Sequence, residues 1–256
     1  MDVVAIHGLT EGKEGLADKL AAALGSTTFE ALSRLRSPGN GPLVVAVFSD
    51  GEPAGRLVER LRAGGFHATQ LSAAEIAAEA GRPSVGRFSL EDETIRTKLP
   101  GGGGVEVPYR DIEVLLRGTS IVRSTSSVAT NTRSFSPGRA VLSGGLMLTK
   151  TTKSVKETTS EARESFVVLY AADGISLGFY ENSIAYDLLG QARQPTSAAN
   201  FAYLVGELRR LSGRAVYDER LLRRPAQAAL LGPRLSPETY LHVATGLLVK
   251  VLRRAG

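Results

Sequence analysis

Residues 1–72 alternate between short apolar segments of strand type and longer amphipathic segments of helix type. The first segment, "VVAIHG", predicts a strand, and "PLVVAVFS" has the continuous apolar run of a strand buried on both faces. In "EGLADKLAAALG", leucines recur at every fourth position before a glycine, which predicts a helix and its end. The predicted order is strand–helix–helix–strand–helix–strand, and it restricts these residues to a small α+β domain.

Two helix starts in this part of the chain have residues suited to capping. In "STTFEALSRLR", Ser26 or Thr27 can accept bonds from the first free backbone N–H groups, and Glu30 completes a capping box with Thr27. Asp50 stands where it can cap the helix "DGEPAGRLVERLRAGG", whose apolar face is predicted to hold Leu57. The strand "FHATQLS" follows the double glycine that ends this helix.

Two segments, "LADKLAAALGSTTFEALSRLR" and "GEPAGRLVERLRAGGFHATQL", resemble the C-terminal domain of the ribosomal stalk protein and the similarly folded adaptor of the Clp protease. The resemblance covers residues 1–72 and implies a fold that binds protein partners through helical surfaces, without catalysis. The stalk domain's partner-facing helices are basic, whereas residues 1–80 here contain seven basic and ten acidic residues. This difference argues against the binding of translation factors. Residues 73–84 are predicted to be a linker that begins with a short Ala-rich helix.

Residues 85–212 have the alternation of a β-rich domain. "VGRFSLEDETIRTKL" alternates around an acidic turn, "PGGGG" is predicted to be a hairpin tip, and "ESFVVLYAADGISLGFYENSIAYDLLG" is predicted to form three strands. The helix "SAANFAYLVGELRRLSG" follows, with Ser197 as its cap. One face of this helix is predicted to contain Phe201, Leu204, Val205 and Leu208.

The phrases "VEVPYRDIEVLLRG" and "GFYENSIAYDLLG", together with that helix, resemble the bacterial pleckstrin-homology-like domain. The resemblance implies a β-barrel or bent sheet with a closing helix, and members of the family bind lipid head groups, peptides or other proteins. The predicted fold class is therefore α+β: a small ferredoxin-like or stalk-like domain, followed by a pleckstrin-homology-like β-domain.

Residues 213–256 are predicted to be a helical tail. The segment "YDERLLRRPAQAALLG" is predicted to be helical with a proline interruption. In "SPETYLHVATGLLVKVLRRAG", Ser236 is the expected cap and Pro237 the first helical residue. Apolar residues at 240, 241, 244, 247, 248, 251 and 252 form one stripe, which favours core packing over a dimer or membrane-surface helix.

Composition limits the chemistry that this chain can perform. The 256 residues include no cysteine, which excludes disulfides, thiolate nucleophiles and cysteine-ligated zinc. With 43% hydrophobic and 22% charged residues, the chain is predicted to be a soluble globular protein. The start of the sequence does not have the pattern of a signal peptide, and no apolar run has the length of a membrane span, so we expect a cytoplasmic location.

Motifs of catalysis or cofactor binding are weak throughout. The three histidines have no metal-ligand spacing, and "PGGGG" lacks the Lys-Ser/Thr pair of a phosphate loop. The acidic cluster "LEDET" (90–94) is expected to mark a turn. In "YDER" (217–220), Asp218 is expected to cap a helix or to form an ion pair, with Arg220 nearby. The sequence therefore predicts no catalytic residue, metal ligand or cofactor.

A basic segment in the middle of the chain is the main candidate binding site. Residues 114–156 contain seven bases and no acid, in a chain of net charge +5. The segment is predicted to be two polar Ser/Thr-rich loops, 123–138 and "KTTKSVK", on either side of the strand "RAVLSGGLMLT". A phosphate or an acidic peptide could bind it, or it could be a solvated loop without a ligand. The candidate residues are Arg117, Arg123, Arg133, Arg139, Lys150, Lys153 and Lys156.

The leading hypothesis is a non-catalytic, cytoplasmic interaction module, an adaptor or a regulator, that binds a protein partner. The alternative is an anion-binding module that recognises nucleic acid or anionic lipid through residues 117–156, although only Phe135 could stack on bases. An enzyme with a site between two domains is the least favoured hypothesis.

Overall fold

The computed structural model describes the backbone of residues 1–9, 13–36, 41–135 and 149–255, and the side chains of 1–9, 15–36, 41–121 and 161–254. It is a mixed α+β structure. The helices are α1 (Lys13–Leu24), α2 (Thr28–Leu35), α3 (Gly51–Ala63), α4 (Ala73–Ala80), α5 (Ser197–Leu211), α6 (Arg224–Leu231) and α7 (Pro237–Ala255). The strands are β1 (Asp2–His7), β2 (Leu43–Phe48), β3 (His67–Leu71), β4 (Arg87–Leu90), β5 (Thr94–Lys98), β6 (Gly104–Pro108), β7 (Ile112–Phe135), β8 (Thr149–Ala171), β9 (Ser176–Tyr180) and β10 (Val216–Leu221).

The chain forms two compact units. The core unit comprises Met1–Ser120 and Glu164–Gly256, and the strand unit comprises Ile121–Arg163. All sites described below at the level of side chains lie in the core unit.

The first sheet has the strand order β2-β1-β3, and both pairs are antiparallel. Its elements follow the order predicted from the sequence, which is confirmed. Both faces of β1 are buried, which explains its continuous apolar sequence. Val4 and Ile6 pack in a core with α1, α2 and α3. Val3 and Ala5 point to the other face and pack in a second core.

The predicted helix caps are confirmed in part. Thr27 and Glu30 form the expected capping box at the start of α2. Asp50 occupies the cap position of α3, but its carboxylate accepts a bond of 3.0 Å from the Ser49 hydroxyl and does not cap the helix. The cap of α5 is Thr196, whose hydroxyl accepts from the backbone of Ala199, so the prediction of Ser197 was one residue too late.

The second sheet has the order β4-β5-β6, with antiparallel pairs. The residues of "PGGGG" lie at the turn between β5 and β6, and the acidic cluster 91–93 lies between β4 and β5, as predicted. The buried face of this sheet joins a core that includes Phe88 and Ile95. The predicted face of α5 completes that core, because Phe201, Leu204, Val205 and Leu208 are all buried there.

The third sheet has the order β10-β7-β8-β9, with β10 parallel to β7 and β9 antiparallel to β8. Among the described residues, the three sheets are open and none closes into a barrel. A third strand was predicted after β9, but residues 183–190 form a turn, a single bridge at Ala185 and part of the 3₁₀ segment Asp187–Ala192.

The prediction of polar loops in the basic segment was wrong where the structure describes it. Residues 123–135 continue β7, and residues 150–156 lie in β8. Both stretches are rich in threonine, whose branched Cβ favours extended backbone, and they lack the apolar alternation by which a strand is usually detected. The predicted strand "RAVLSGGLMLT" lies almost entirely outside the described residues.

The predicted helical tail begins with a strand instead. Residues 217–221, expected to be helical, belong to β10, which pairs with the existing strand β7 and so gains backbone hydrogen bonds. The helices α6 and α7 then follow. The apolar stripe of α7 packs in the core, as predicted, with Ala244, Leu247 and Leu248 fully buried. No helix in the described part of the chain has the length and apolarity needed to cross a membrane.

The segment predicted as a linker, 73–84, contains the helix α4. Its start has a capping box formed by Ser72 and Glu75, in which the Glu75 carboxylate accepts from the Ser72 backbone at 2.7 Å. Ile76 of this helix lies in the same core as Leu247 of α7. The helix is therefore part of the packed core unit.

Candidate functional site

The predicted basic residues do not all belong to one unit. Arg117 lies in the core unit, while Arg123 and Arg133 lie in the part of β7 that belongs to the strand unit. Lys150, Lys153 and Lys156 lie in β8, within the strand unit. Arg139 falls outside the described residues.

The surroundings of Arg117 are those of a packed side chain. Its Nε atom is buried and has no hydrogen-bond partner within the described structure. Its guanidinium forms a hydrogen bond with the phenol of Tyr217. The guanidinium of Arg209 lies over the same ring, 4.7 Å from its centre. Burial raises the pKa of Tyr217, and Arg117 opposes that rise. Arg117 therefore contacts Tyr217 of β10 rather than standing free for a ligand.

A buried polar network joins α4, β8 and α7. One carboxylate oxygen of Glu79 accepts hydrogen bonds from the hydroxyl of Tyr170 at 2.8 Å and from the hydroxyl of Thr245 at 2.9 Å, and it pairs with Arg82. Arg82 also donates to the Tyr170 hydroxyl at 2.6 Å, and its guanidinium lies 5.1 Å from the centre of the Tyr170 ring. Side chains from three elements and from the segment that follows α4 thus bind one another.

The network is isolated from water. The side chains of Arg82 and Glu79 are only 4% and 12% exposed, so their charges interact through a medium of low dielectric constant. Burial raises the pKa of Tyr170 far above its usual value, while Arg82 acts in the opposite direction. Tyr170 consequently stays protonated and can donate to Glu79. The Nε atom of Arg82 is buried without a partner in the described structure.

A cleft of about 380 Å³ opens beside this network. It lies between α4, α7 and the turn that joins β8 to β9, and Glu79 and Tyr170 form part of its wall. Gly246 of α7 makes this arrangement possible, because a Cβ atom there would lie 3.0 Å from the Glu79 side chain. The absence of a side chain at this position thus allows the two helices to pack closely.

Three cations of α7 line the cleft, and two of them already have partners. Lys250 donates to the carbonyl of Gln70 at 2.6 Å and to Glu75 at 2.5 Å. Arg253 donates to the carbonyl of Ala171 at 2.7 Å and pairs with Glu113. The third cation, Arg254, is exposed and has no ion pair with any described side chain.

The carboxylate at the edge of the cleft is held in its ionised form. Burial works against this, but hydrogen bonds from Lys250 and Ser72 outweigh it and lower the pKa of Glu75 below its usual value. The cleft therefore combines fixed charges of both signs with one cation that has no counter-charge. Such an arrangement is suited to holding a charged group in place.

The histidines do not form a metal site in the described part of the chain. His7 and His67 stack as opposite residues of β1 and β3, with ring centres 5.5 Å apart. His242 lies on α7, and burial lowers its pKa. Among the described residues, no group of three His, Asp or Glu side chains is placed to hold a metal ion.

The second acidic cluster forms the ion pair that its sequence predicted. The Asp218 carboxylate accepts from the Arg220 side chain at 2.8 Å, and Arg220 also donates to the carbonyl of Gly41. These bonds connect β10 to the segment that precedes β2, so the pair has a structural role.

Comparisons with protein-family models, with curated proteins and with solved structures find no match to this chain.

The sequence did not predict the network around Glu79. Its four members are residues 79, 82, 170 and 245, and only the spacing of three between Glu79 and Arg82 is a local signal. A spacing of three between opposite charges is common on exposed helix surfaces, so it gives no indication of burial. Contact with Tyr170 and Thr245 arises only when β8 and α7 pack against α4.

Proposed function

We propose that this chain is a non-catalytic interaction module that binds an acidic segment of a protein partner in the cleft beside α7. The observation that carries the proposal is Arg254, an exposed cation on the wall of a cleft, with no ion pair among the described side chains. Lys250 and Arg253 lie on the same helix and line the same cleft, where their charges are paired with Glu75 and Glu113.

The hydrogen bonds and ion pairs inside the cleft favour a role in ligand binding over a role in proton transfer. A general base needs a carboxylate that is free to accept a proton near neutral pH. Glu79 already accepts three hydrogen bonds at one oxygen, and Glu75 is held ionised by Lys250 and Ser72. Tyr170 is held protonated by burial. Glu75 and Tyr170 therefore keep fixed charge states, which is the property that a docking surface for a charged segment requires.

The two sequence resemblances support the same class of function. Members of the stalk-protein and Clp-adaptor fold bind protein partners, and pleckstrin-homology-like domains bind peptides or proteins among other ligands. An acidic partner fits a chain of net charge +5, because opposite charges accelerate encounter. A cytoplasmic adaptor or regulator is the role in which we place the protein.

Affinity capture with matched charge variants tests this proposal. The tagged chain, Arg254→Glu and Arg60→Glu are used as baits in native lysate at low and at high salt. Arg60 is an exposed arginine of α3 that does not line the cleft, so its variant matches the charge change. We expect a partner that is captured by the unmodified chain and by Arg60→Glu, that is lost with Arg254→Glu, and that weakens at high salt. Equal capture by all three baits would exclude the cleft.

The basic strands offer a second candidate function. Arg123 and Arg133 lie on β7, and Lys150, Lys153 and Lys156 lie on β8, and these two strands are hydrogen-bonded neighbours. Five cations on adjacent strands favour an extended anion such as nucleic acid over a compact one. Binding of a labelled single-stranded oligonucleotide should then fall steeply as salt increases. Vesicles of anionic lipid serve as the comparison, and charge reversal at Arg133 and Lys150 should abolish binding. Retained binding in that variant would rule the basic strands out.

A further inference from the structure

The second sheet has one buried face and one face that is exposed to solvent. Phe88, Ile95 and Val107 are buried, whereas their neighbours in the sequence, among them Arg87, Arg96 and Glu106, are exposed. This alternation is the expected consequence of successive side chains pointing to opposite sides of a strand. The exposed face is independent of the cleft beside α7, since the two share no lining residue.

Two cations of this exposed face lie directly opposite each other. Arg87 of β4 and Lys98 of β5 are register partners in the antiparallel pair. Side chains in such positions are close neighbours, and like charges there repel. The register partner of Lys98 on β6 is Gly104, which has no side chain that could pair with it.

The other charged side chains near this face offset the repulsion between Arg87 and Lys98 only in part. Arg96 is opposite Glu106, and the two form an ion pair of 3.0 Å. Arg87 reaches Asp187 at 3.9 Å, and both side chains are about half exposed. Lys98 has no ion pair among the described side chains. This face therefore holds two adjacent cations: Arg87 has a long ion pair with Asp187, and the only carboxylate on the neighbouring strand β6, Glu106, is paired with Arg96.

A pocket of about 550 Å³ lies over this pair of cations. Arg87, Ser89, Arg96 and Lys98 line it, together with the glycines 102–104 of the hairpin tip. Its volume is in the range of sites for small ligands. The glycines at 102 and 103 have no atom within 4 Å of a hypothetical Cβ, so this side of the pocket is open.

The pocket also has an apolar wall. Leu188, in the 3₁₀ segment that packs beside β4, lines the pocket and is 56% exposed. Leu188 thus gives the pocket an apolar contact surface beside its charged side chains. A ligand that has both an anionic and an apolar part would cover Leu188 and neutralise the cations.

We propose that this pocket binds a small organic dianion that carries an apolar group. Two cations in adjacent register positions match an anionic head with two negative charges, and Leu188 matches the apolar group. The head accepts charge-assisted hydrogen bonds from Arg87 and Lys98, and the bound ligand relieves their mutual repulsion. A phosphomonoester and a dicarboxylate share this chemistry.

Calorimetric titration of the full chain with phenyl phosphate and with phenylsuccinate tests the proposal. Binding of at least one of the two is expected, and it should weaken by about tenfold or more in Arg87→Gln and in Lys98→Gln. Arg110→Gln is the matched control, because Arg110 is exposed on the following 3₁₀ turn and does not line the pocket. It should bind as the unmodified chain does. Unchanged affinity in Lys98→Gln, or no binding of either probe, would overturn the proposal.

Two further ligands test the requirement for two negative charges and the requirement for an apolar group separately. Benzoate, a monoanion with the same apolar group, and inorganic phosphate, an anion without one, should each bind about tenfold more weakly or not at all. Equal affinity for benzoate would refute the requirement for two charges, and equal affinity for inorganic phosphate would refute the role of Leu188.

A thermal measurement checks the repulsion itself without a ligand. Lys98→Glu places a carboxylate opposite Arg87 and should raise the melting temperature. Addition of phenyl phosphate should then produce no further change in the melting temperature of this variant. A lower melting temperature in Lys98→Glu would contradict the repulsion on which the site is built. The response of Arg110→Glu is the control for a general effect of charge.

Discussion

The Tyr170 hydroxyl donates a hydrogen bond of 2.8 Å to Glu79, a residue 91 positions earlier in the chain. This bond connects β8 to α4, and Thr245 of α7 donates to the same carboxylate oxygen at 2.9 Å. Glu79 of α4 thereby accepts hydrogen bonds from two other elements. The same three elements line much of the cleft, so the network helps to fix the geometry of the proposed binding site.

Removing the Tyr170 hydroxyl should destabilise the core unit. In Tyr170→Phe, Glu79 loses a buried donor, and we expect the free energy of unfolding to fall by about 1–3 kcal/mol. Urea denaturation followed by circular dichroism measures this change. Tyr203→Phe is the control, since Tyr203 is half-buried on α5 and has no hydrogen bond from its hydroxyl within the described structure. An equal effect of both substitutions would contradict the account of the network.

Neutralising Glu79 should cost more than neutralising an exposed acid. Glu79→Gln leaves the buried Arg82 without its counter-charge, and we expect a loss of about 3–5 kcal/mol in the free energy of unfolding. Glu52→Gln is the matched control: Glu52 pairs with Arg56, and both side chains are well exposed. That variant should lose no more than about 1 kcal/mol. Similar losses in both variants would mean that the Glu79 pair is not isolated from water.

Two glycines in helices should respond oppositely to substitution by alanine. In Gly246→Ala, the new methyl group would lie 3.0 Å from the Glu79 side chain and 3.1 Å from that of Leu71, so these two packed side chains must shift to make room. We expect destabilisation by about 1–3 kcal/mol. Gly206 of α5 has open space around it, and alanine there should stabilise the helix by about 0.5–1 kcal/mol. Thermal unfolding of the two variants checks the signs, and a neutral Gly246→Ala would contradict the close approach of the helices.

The pairing of His7 with His67 predicts a pH dependence of stability. Burial lowers the pKa of His7 below its usual value of 6.5, and His67, Arg254 and Arg62 lower it further. The unfolded chain therefore binds a proton more readily than the folded one. The free energy of unfolding should fall as the pH drops through 6.5 and should level off below the pKa of the folded state.

The variant His7→Gln isolates this contribution from the other histidines. Urea midpoints of the two proteins are compared between about pH 5 and pH 8. We expect the difference between them to change in this window and to favour the variant at the acidic end. A difference that stays constant with pH would show that His7 does not titrate as the stacked geometry requires.

The parts of the fold that could be predicted are those where local pattern and packing agree. The apolar runs of β1 and β2, the capping box of Thr27 and Glu30, and the buried face of α5 were all evident from spacing. The strands and α5 place apolar residues in a core, so their hydrophobic pattern contains the information, and the capping box is a polar signal of fixed spacing.

The parts that could not be predicted depend on partners that are distant in the sequence. β10 has the sequence "VYDERL", in which only Leu221 is buried, and it is a strand because β7 offers a parallel edge. The long strands β7 and β8 contain polar stretches without apolar alternation, so no local signal distinguished them from loops. The network of Glu79 with Tyr170 and Thr245 is assembled only by tertiary packing.

The claim that the cleft binds an acidic segment is tested most directly by fluorescence anisotropy with a labelled oligoglutamate peptide. Arg254 is the residue to change, because Lys250 and Arg253 donate to backbone carbonyls and their loss would disturb the fold. At low salt the unmodified chain and Arg60→Glu should bind the peptide equally. Arg254→Glu should bind it at least about tenfold more weakly, a difference of about 1.4 kcal/mol. Equal binding by Arg254→Glu and Arg60→Glu would contradict the account.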